Sequence, residues 1–286
     1  MNVKKILSLV ASTIKLFIII LLFSSNSKAE ENNIKYYSDD KGILSLMYHR
    51  FNENKYPSTN IQMDIFKKQI KIIKNLKYNF YDPKDLIKEF PIAKREKKIL
   101  ITIDDAFSSF YEFAWPYLKE EKIPFILFVS TEAVGRNGYM TWNQIKELEK
   151  ETTVHIGNHS HTHKYLVDFE NKNFMDDIDT SSIIFVEQLG YNPIFFSYPF
   201  GEYSSLVKKY ISKNFRFSFG QHSGVIDINK DPHELPRFPI NEKYGDLKRF
   251  KFLVNLNPLQ YKFLYPVEKY LTDNNNPPKF SVEFFS

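Results

Sequence analysis

The sequence predicts an α/β fold on a parallel sheet, either a barrel or a doubly wound sheet. Two observations lead there. Short apolar, β-rich runs alternate with segments of helical period down the chain. The unusual polar residues, His49, Asp104–Asp105, His159–His163 and Tyr198–Phe200, each stand at or just after the C-terminal end of such a run. In a β/α barrel those ends share one rim, so residues distant in sequence meet in one pocket. Composition agrees with a globular chain: of 286 residues, 43% are hydrophobic and 26% charged. The absence of cysteine excludes a disulfide scaffold, a thiolate metal site, a cysteine nucleophile and a lipid-modified N-terminal cysteine.

The elements follow in order. Ile43–His49 reads as a strand. Ile61–Ile73 has the 3.6-residue period of a helix, with Ile61, Ile65, Phe66, Ile70 and Ile73 on one face. Ile99–Ile103 is a strand running into two aspartates, Phe110–Glu121 a helix and Pro124–Ser130 a strand. Asn143–Glu149 is a short helix, and Thr153–Ile156 a strand leading into a histidine cluster. Phe174–Leu189 is an amphipathic helix closed by Gly190, a C-cap signal. Ile194–Tyr198, Leu206–Lys213 and Phe215–Phe219 continue as strand, helix and strand. Leu235–Ile240 is a candidate last strand, weakened by its two prolines. Beyond Lys243 the pattern dissolves, and residues 244–286 are expected to be an irregular extension of the domain spanning 30–243.

The first 29 residues differ from the rest. Two lysines precede the apolar stretch Ile6–Phe23, and the small polar run Ser24–Ala29 follows. This is the layout of a signal peptide cleaved after Ala29. An uncleaved anchor is the competing reading, and Lys15 interrupts it. On both readings the domain lies outside the cytoplasm, in the periplasm, the extracellular space or the cell envelope, with membrane contact only if the segment is retained. Four lysines and no acids lie in this segment, so the rest of the chain has 35 basic against 34 acidic residues. That balance gives no support to nucleic-acid binding, which needs a basic surplus.

The clearest chemical signal is Asn158–His163, which reads NHSHTH. His159 and His163 are four apart and share a face if the segment makes a helical turn. Divalent ions of the zinc class take imidazole and carboxylate ligands, and a catalytic site uses about three from the protein. One carboxylate of Asp104–Asp105 completes such a set. Two adjacent carboxylates ending an apolar strand repel unless a cation or proton intervenes. A metal engages one, and the other is left to accept a proton from water. A helix N-cap before Phe107–Tyr117 accounts for one aspartate and not for both. His161 alternates away from its neighbours and His155 lies inside a strand, so neither is expected to be a ligand.

These motifs resemble the polysaccharide deacetylases with the NodB-type domain, carbohydrate esterase family 4, and most resemble the exported branch acting on poly-N-acetylglucosamine. The resemblance runs from about Gly42 to Ile240. It rests on Leu46-Met47-Tyr48-His49, Thr102-Ile103-Asp104-Asp105, His159-Ser160-His161-Thr162-His163 and Ser197-Tyr198-Pro199-Phe200. It implies a distorted (β/α)7-type barrel and a metal-dependent hydrolysis of N-acetyl groups on polymeric amino sugars. It also implies Asp105, His159 and His163 as metal ligands and Asp104 as general base, with the backbone N–H of Phe200 at the oxyanion. Zinc is the expected metal, with cobalt, nickel, iron and manganese as alternatives.

The chain departs from the family pattern in three places. Ala106 follows Asp105 where glycine is usual. The Ser197–Phe200 motif lacks its arginine, for which Arg237 is the candidate substitute. The histidine that supplies the general acid is missing from its usual place, leaving His49 or His222. Tyr48, Tyr198, Tyr203 and Trp142 are candidates to stack on sugar rings, with core packing as the competing reading of each. Two further enzyme readings use the same residues. One is an amidohydrolase or phosphoesterase with a His-x-His pair, disfavoured because that pair belongs at the first strand. The other is an O-acetyl esterase on a glycan. A degenerate, non-catalytic polysaccharide-binding chain is the third rival.

Overall fold

The structure is a computed structural model that describes residues 42–90, 97–170, 173–227, 230–255, 261–265 and 281–284. The targeting segment expected over residues 1–29 lies outside these. In chain order the strands are β1 (Ile43–Tyr48), β2 (Arg50–Phe51), β3 (Asn60–Ile61), β4 (Asn79–Phe80), β5 (Lys98–Ile103), β6 (Phe125–Val129), β7 (Val154–Asn158), β8 (Phe195–Ser197), β9 (Phe217–Phe219), β10 (Val225–Ile226) and β11 (Phe238–Pro239). The helices are α1 (Met63–Asn75), α2 (Leu86–Glu89), α3 (Trp115–Glu120), α4 (Trp142–Glu149), α5 (Phe174–Leu189), α6 (Ser205–Asn214) and α7 (Leu247–Val254).

Strands β10-β1-β5-β6-β7-β8-β9 pair in that order, and all the pairings are parallel except β10 with β1. The curled sheet is brought round by residues 235–240. Leu235 bridges Phe219 at one edge, and Phe238 and Pro239 pair with Leu46 and Met47 at the other. The expected last strand is therefore reduced to β11 and one bridge, because Pro236 and Pro239 lack the donors that a longer ladder needs. This is the distorted α/β barrel that the sequence predicts.

Side-chain alternation divides the core into two layers. Ile43, Leu100, Ile126, Phe128, Phe195, Phe217, Phe219 and Leu235 fill the barrel interior. Leu44, Leu46, Tyr48, Ile99, Ile101, Ile103, Phe125 and Leu127 face outward and are covered by helices. The covering residues include Phe66, Ile70 and Ile73 of α1 and Phe185 of α5. Helix ends obey their local signals. Thr141 and Gln144 form a reciprocal capping box at α4, Ser204 caps α6, and Gly190 closes α5 at φ 84°.

Two expectations are corrected. The helix expected over Ile61–Ile73 begins at Met63, because Ile61 is taken into β3 beside β2. The extension expected to be irregular from 244 contains α7, whose Phe250 and Val254 are buried and whose N-terminus Asp246 caps. Asp39–Pro258 form one compact unit. Separately, β12 (Tyr261–Tyr265) and β13 (Ser281–Phe284) pair antiparallel.

Gly157 on β7 sits beside Phe128 of β6, and a Cβ there would lie 2.4 Å from the Phe128 ring. Gly157→Ala is expected to destabilise the fold by about 1–3 kcal/mol through overpacking, measured by urea unfolding. A neutral substitution would mean that the Phe128 ring is free to shift.

Candidate metal centre and active site

Alternation along β5 carries the interior series Leu100 and Thr102 on to Asp104, which is wholly buried. Continued alternation would send Asp105 outward. Instead Asp105 and Ala106 both adopt left-handed backbone, at φ 73° and 53°. The second carboxylate thereby turns onto the same rim as the first. For Ala106 this conformation costs about 1–2 kcal/mol, which glycine would avoid.

Asp104 meets Arg237 in a two-pronged pair, with guanidinium nitrogens 2.7 and 2.9 Å from its two carboxylate oxygens. Arg237 has no exposed surface. Its Nε donates to the Gly220 carbonyl at 2.8 Å, and its remaining donors reach Ser197 Oγ at 2.7 Å and Thr102 Oγ1 at 3.3 Å. The guanidinium lies 5.4 Å from the Phe128 ring centroid and 5.9 Å from that of Phe219, so the barrel's aromatic interior forms its floor. Burial opposes ionisation of Asp104, but Arg237, aided by His49, outweighs it and holds the carboxyl below its ordinary range. Ser197 stands where the resemblance leads one to expect arginine, and Arg237 reaches the same carboxylate from the segment that completes the barrel.

One carboxylate oxygen of Asp105 and one ring nitrogen each of His159 and His163 all lie within 4.8 Å of one another. His163 Nε2 is 3.1 Å from Asp105 Oδ1, and His159 Nε2 is 3.5 Å from the same oxygen. His159 Nδ1 lies 2.7 Å from the Ser197 carbonyl, which requires a donor there. The tautomer is thus set, and the Nε2 lone pair points at the cluster. Burial pulls His159 down to about 4, so the ring is neutral at physiological pH. Burial also opposes charge on Asp105, but the hydrogen bond from His163, together with His49, holds it ionised. Two imidazole nitrogens and a carboxylate, with one ring pre-oriented by a carbonyl, fit a divalent ion of the zinc class.

No helical turn brings the two histidines together. Residues 159–165 form a loop in which Ser160 and His163 have left-handed backbone, φ 69° and 55°. Asn158 Oδ1 accepts from the Ser160 N–H at 2.8 Å, and Ser160 Oγ accepts from the His163 N–H at 3.1 Å. Asp177 on α5 accepts from the backbone N–H groups of His161 and Thr162 at 2.8 and 3.0 Å. Sequence reasoning missed Asp177, Ser197 and Asn158. Asn158 and Asp177 hold backbone N–H groups of the loop, while Ser197 meets the Arg237 and His159 side chains, and no spacing rule marks either.

The other expected residues separate by strand face. His49 continues the inward face of β1, is half-buried, and lies close enough for its charge to act on both aspartates. Tyr48 points the other way. It is buried against Phe66 and Phe51 and donates to Gln69 at 3.0 Å, so it is a core residue and not a sugar platform. Tyr198 is corrected likewise: it is buried beside Phe196 and donates to the His233 carbonyl at 3.1 Å. Trp142 is half-buried at the start of α4 with its ring edge-on to Phe185. Phe200 has φ 58° and is 41% exposed, and its ring contacts His163. Tyr203 is half-buried against Tyr198, and His222 is exposed on the loop after β9. His161 hydrogen-bonds Thr131 at 2.8 Å, and His155 pairs with Asp82 at 2.9 Å. His155 is the second residue of β7 while His159 follows its end, about 13 Å along the strand.

Comparison with known proteins places this geometry. Residues 92–216 match the polysaccharide deacetylase family. A putative polysaccharide deacetylase of Bacillus subtilis, YxkH, is 25% identical over 59% of this chain. The match spans 60% of that relative's length, which is under two thirds. A poly-beta-1,6-N-acetyl-D-glucosamine N-deacetylase of Staphylococcus epidermidis is 22% identical over 76% of this chain and 85% of its own. Among solved structures, IcaB from Ammonifex degensii superposes with a TM-score of 0.68 at 23% identity, covering 76% of this chain and 98% of that one. The Streptococcus pyogenes deacetylase PplD superposes with a TM-score of 0.67 at 22% identity, covering 76% and 99%. At these identities the solved structures establish the fold.

Removing Arg237 leaves the Asp104 charge buried and unpaired. Arg237→Ala is therefore expected to cost about 3–5 kcal/mol of stability. Added to Asp104→Asn, the same change costs much less, because the stranded charge is gone. Unfolding of both single variants and the double variant checks this. Additive losses would mean that the pair is not coupled.

Proposed function

We propose that this chain, which belongs to the polysaccharide deacetylase family, hydrolyses N-acetyl groups of amino sugars in a polysaccharide of the poly-N-acetylglucosamine type. The observation that carries the reading is the division of labour between adjacent carboxylates. Asp104 is clamped by Arg237 and Asp105 faces two histidines. An acetamide is a poor electrophile with a poor leaving group. Its hydrolysis needs activated water, a stabilised oxyanion and a proton for the departing nitrogen.

Asp105, His159 and His163 would hold a divalent ion, for which we favour zinc over cobalt, nickel, iron or manganese. Such an ion supplies Lewis acidity, lowering the pKa of water and polarising a carbonyl. Asp104 is the general base. Its Oδ2 lies 3.7 Å from His159 Nε2, at the edge of the ligand cluster. Arg237 keeps it ionised in the absence of substrate and fixes its plane. Water attacks the acetyl carbon, its proton passes to Asp104, and the backbone N–H of Phe200 contributes to holding the oxyanion. The C–N bond then breaks, with a proton delivered to nitrogen by His49 or returned by Asp104, leaving acetate and a free amine. The buried Arg237 clamp also counts against a degenerate, merely binding chain, since it restores the support that the altered motif lacks. The glycan would be met outside the cytoplasm, the location expected from the N-terminal segment.

The test uses the chain from Glu30 onward, N-acetylglucosamine oligomers and a fluorogenic assay for released amine. Asp105→Ala is expected to lose both bound metal and turnover. Asp104→Asn is expected to keep metal and lose about 10²–10⁴ in rate, the scale of general base catalysis. Full activity of Asp104→Asn would overturn the role given to it. Chelation abolishes release and zinc restores it.

Metal uptake is expected to depend on pH. Burial disfavours charge on His163, but its pairing with Asp105 wins and raises it above the usual histidine range. A proton must therefore leave His163 when an ion binds, so affinity falls as pH falls through that range. Calorimetry in buffers of differing ionisation enthalpy counts the proton. An affinity flat from pH 8 to pH 6 would contradict the assignment.

A further inference from the structure

We propose that the cavity beside His163 is a subsite for a glycan unit that already carries a free amine, so that the enzyme acts preferentially next to its own earlier products. The inference rests on the deacetylase reading above. The cavity has a volume of about 560 Å³ and is lined by His163, Lys164, Tyr165, Asp168, Glu170 and Phe200, among others. That size falls in the range of small-molecule sites. Since His163 belongs to the ligand cluster, the cavity adjoins the point of hydrolysis, and a unit next to the reacting sugar reaches it.

The wall is an aromatic platform. Tyr165 and Phe200 stack with centroids 3.9 Å apart and planes 12° from parallel, and Phe200 also meets His163 at 4.8 Å. Both rings remain about two-fifths exposed, 39% and 41%. The platform is fixed in place. Leu166 is buried directly behind Tyr165 in sequence, and the Asp168 N–H donates to the Tyr165 carbonyl at 3.0 Å. Neither the ring pair nor the cavity has a role in the hydrolysis, which uses only the backbone of Phe200.

The charges select the occupant. Two carboxylates, Asp168 and Glu170, line the cavity together with one ammonium, Lys164, and the ligand-cluster imidazole of His163. Neither carboxylate is ion-paired to another described residue. An N-acetylated sugar is neutral and gains hydrogen bonds from them but no charge attraction. Hydrolysis leaves a primary amine that takes up a proton, so each turnover places a cation on the polymer. A neighbouring unit with that cation is attracted by the carboxylates while its ring lies on the Tyr165–Phe200 platform.

Two N-acetylglucosamine tetramers test this, one fully acetylated and one with a single free amine beside an acetylated unit. At low salt, kcat/KM is expected to favour the amine-bearing tetramer about two- to five-fold, the scale of exposed ion pairs. The ratio should approach one near 1 M salt. Asp168→Asn combined with Glu170→Gln should also bring the ratio to one. Tyr165→Ala should weaken both tetramers and leave the ratio in place. Affinities measured on Asp104→Asn protein should give the same ratio without turnover. A wild-type ratio of one, or a ratio that survives the double substitution, overturns the proposal. Selective binding with no amine release from either tetramer would instead overturn the deacetylase reading and leave the subsite standing.

Discussion

The site depends on one buried ion pair. Arg237 and Asp104 are both fully withdrawn from water, and two short hydrogen bonds tie their planar groups together. Each ion gives up several kcal/mol of hydration, and their attraction offsets that only with good geometry and satisfied neighbours. Here Thr102, Ser197 and the Gly220 carbonyl satisfy the rest of the guanidinium, with Phe128 and Phe219 beneath it. Buried pairs of this kind are seldom kept for stability alone. The proposed chemistry would account for this one, because a general base at Asp104 must be ionised before the substrate arrives.

The pair also ties the chemistry to the barrel. Arg237 lies between the Leu235 bridge to β9 and the pairing of Phe238 with β1, on the short segment joining the two sheet edges. The segment that completes the sheet therefore delivers the positioning group. The neighbouring carboxylate is freed for a different task by a backbone device, two successive left-handed residues at Asp105 and Ala106. Adjacent in sequence, the two aspartates thus serve one pocket in separate capacities, one facing arginine and the other facing histidines.

Much of this was legible in the sequence for a definable reason. Strand ends bearing His49, Asp104–Asp105 and His159 obey a simple period, and a parallel sheet brings such ends together. The same period, applied residue by residue, separates His49 from Tyr48: one lies on the interior face of β1 and the other under α1. The same alternation turns Tyr48 and Tyr198 away from the rim and into the core, the reading that competed with sugar stacking for each. The His159–His163 pairing was anticipated, but its loop geometry was not, since it depends on Asn158, Ser160 and Asp177 holding backbone groups. α7 was passed over because Asn, Pro and scattered aromatics around it mask a single short amphipathic turn sequence capped by Asp246.

The site turns on Arg237 holding Asp104 ionised inside the barrel. This is tested most directly by following the Asp104 carboxyl carbon by NMR across a pH titration of the wild-type protein. Asp104 is expected to stay charged below the ordinary aspartate value of roughly 3.9. A carboxyl that takes up its proton at or above that value would contradict it.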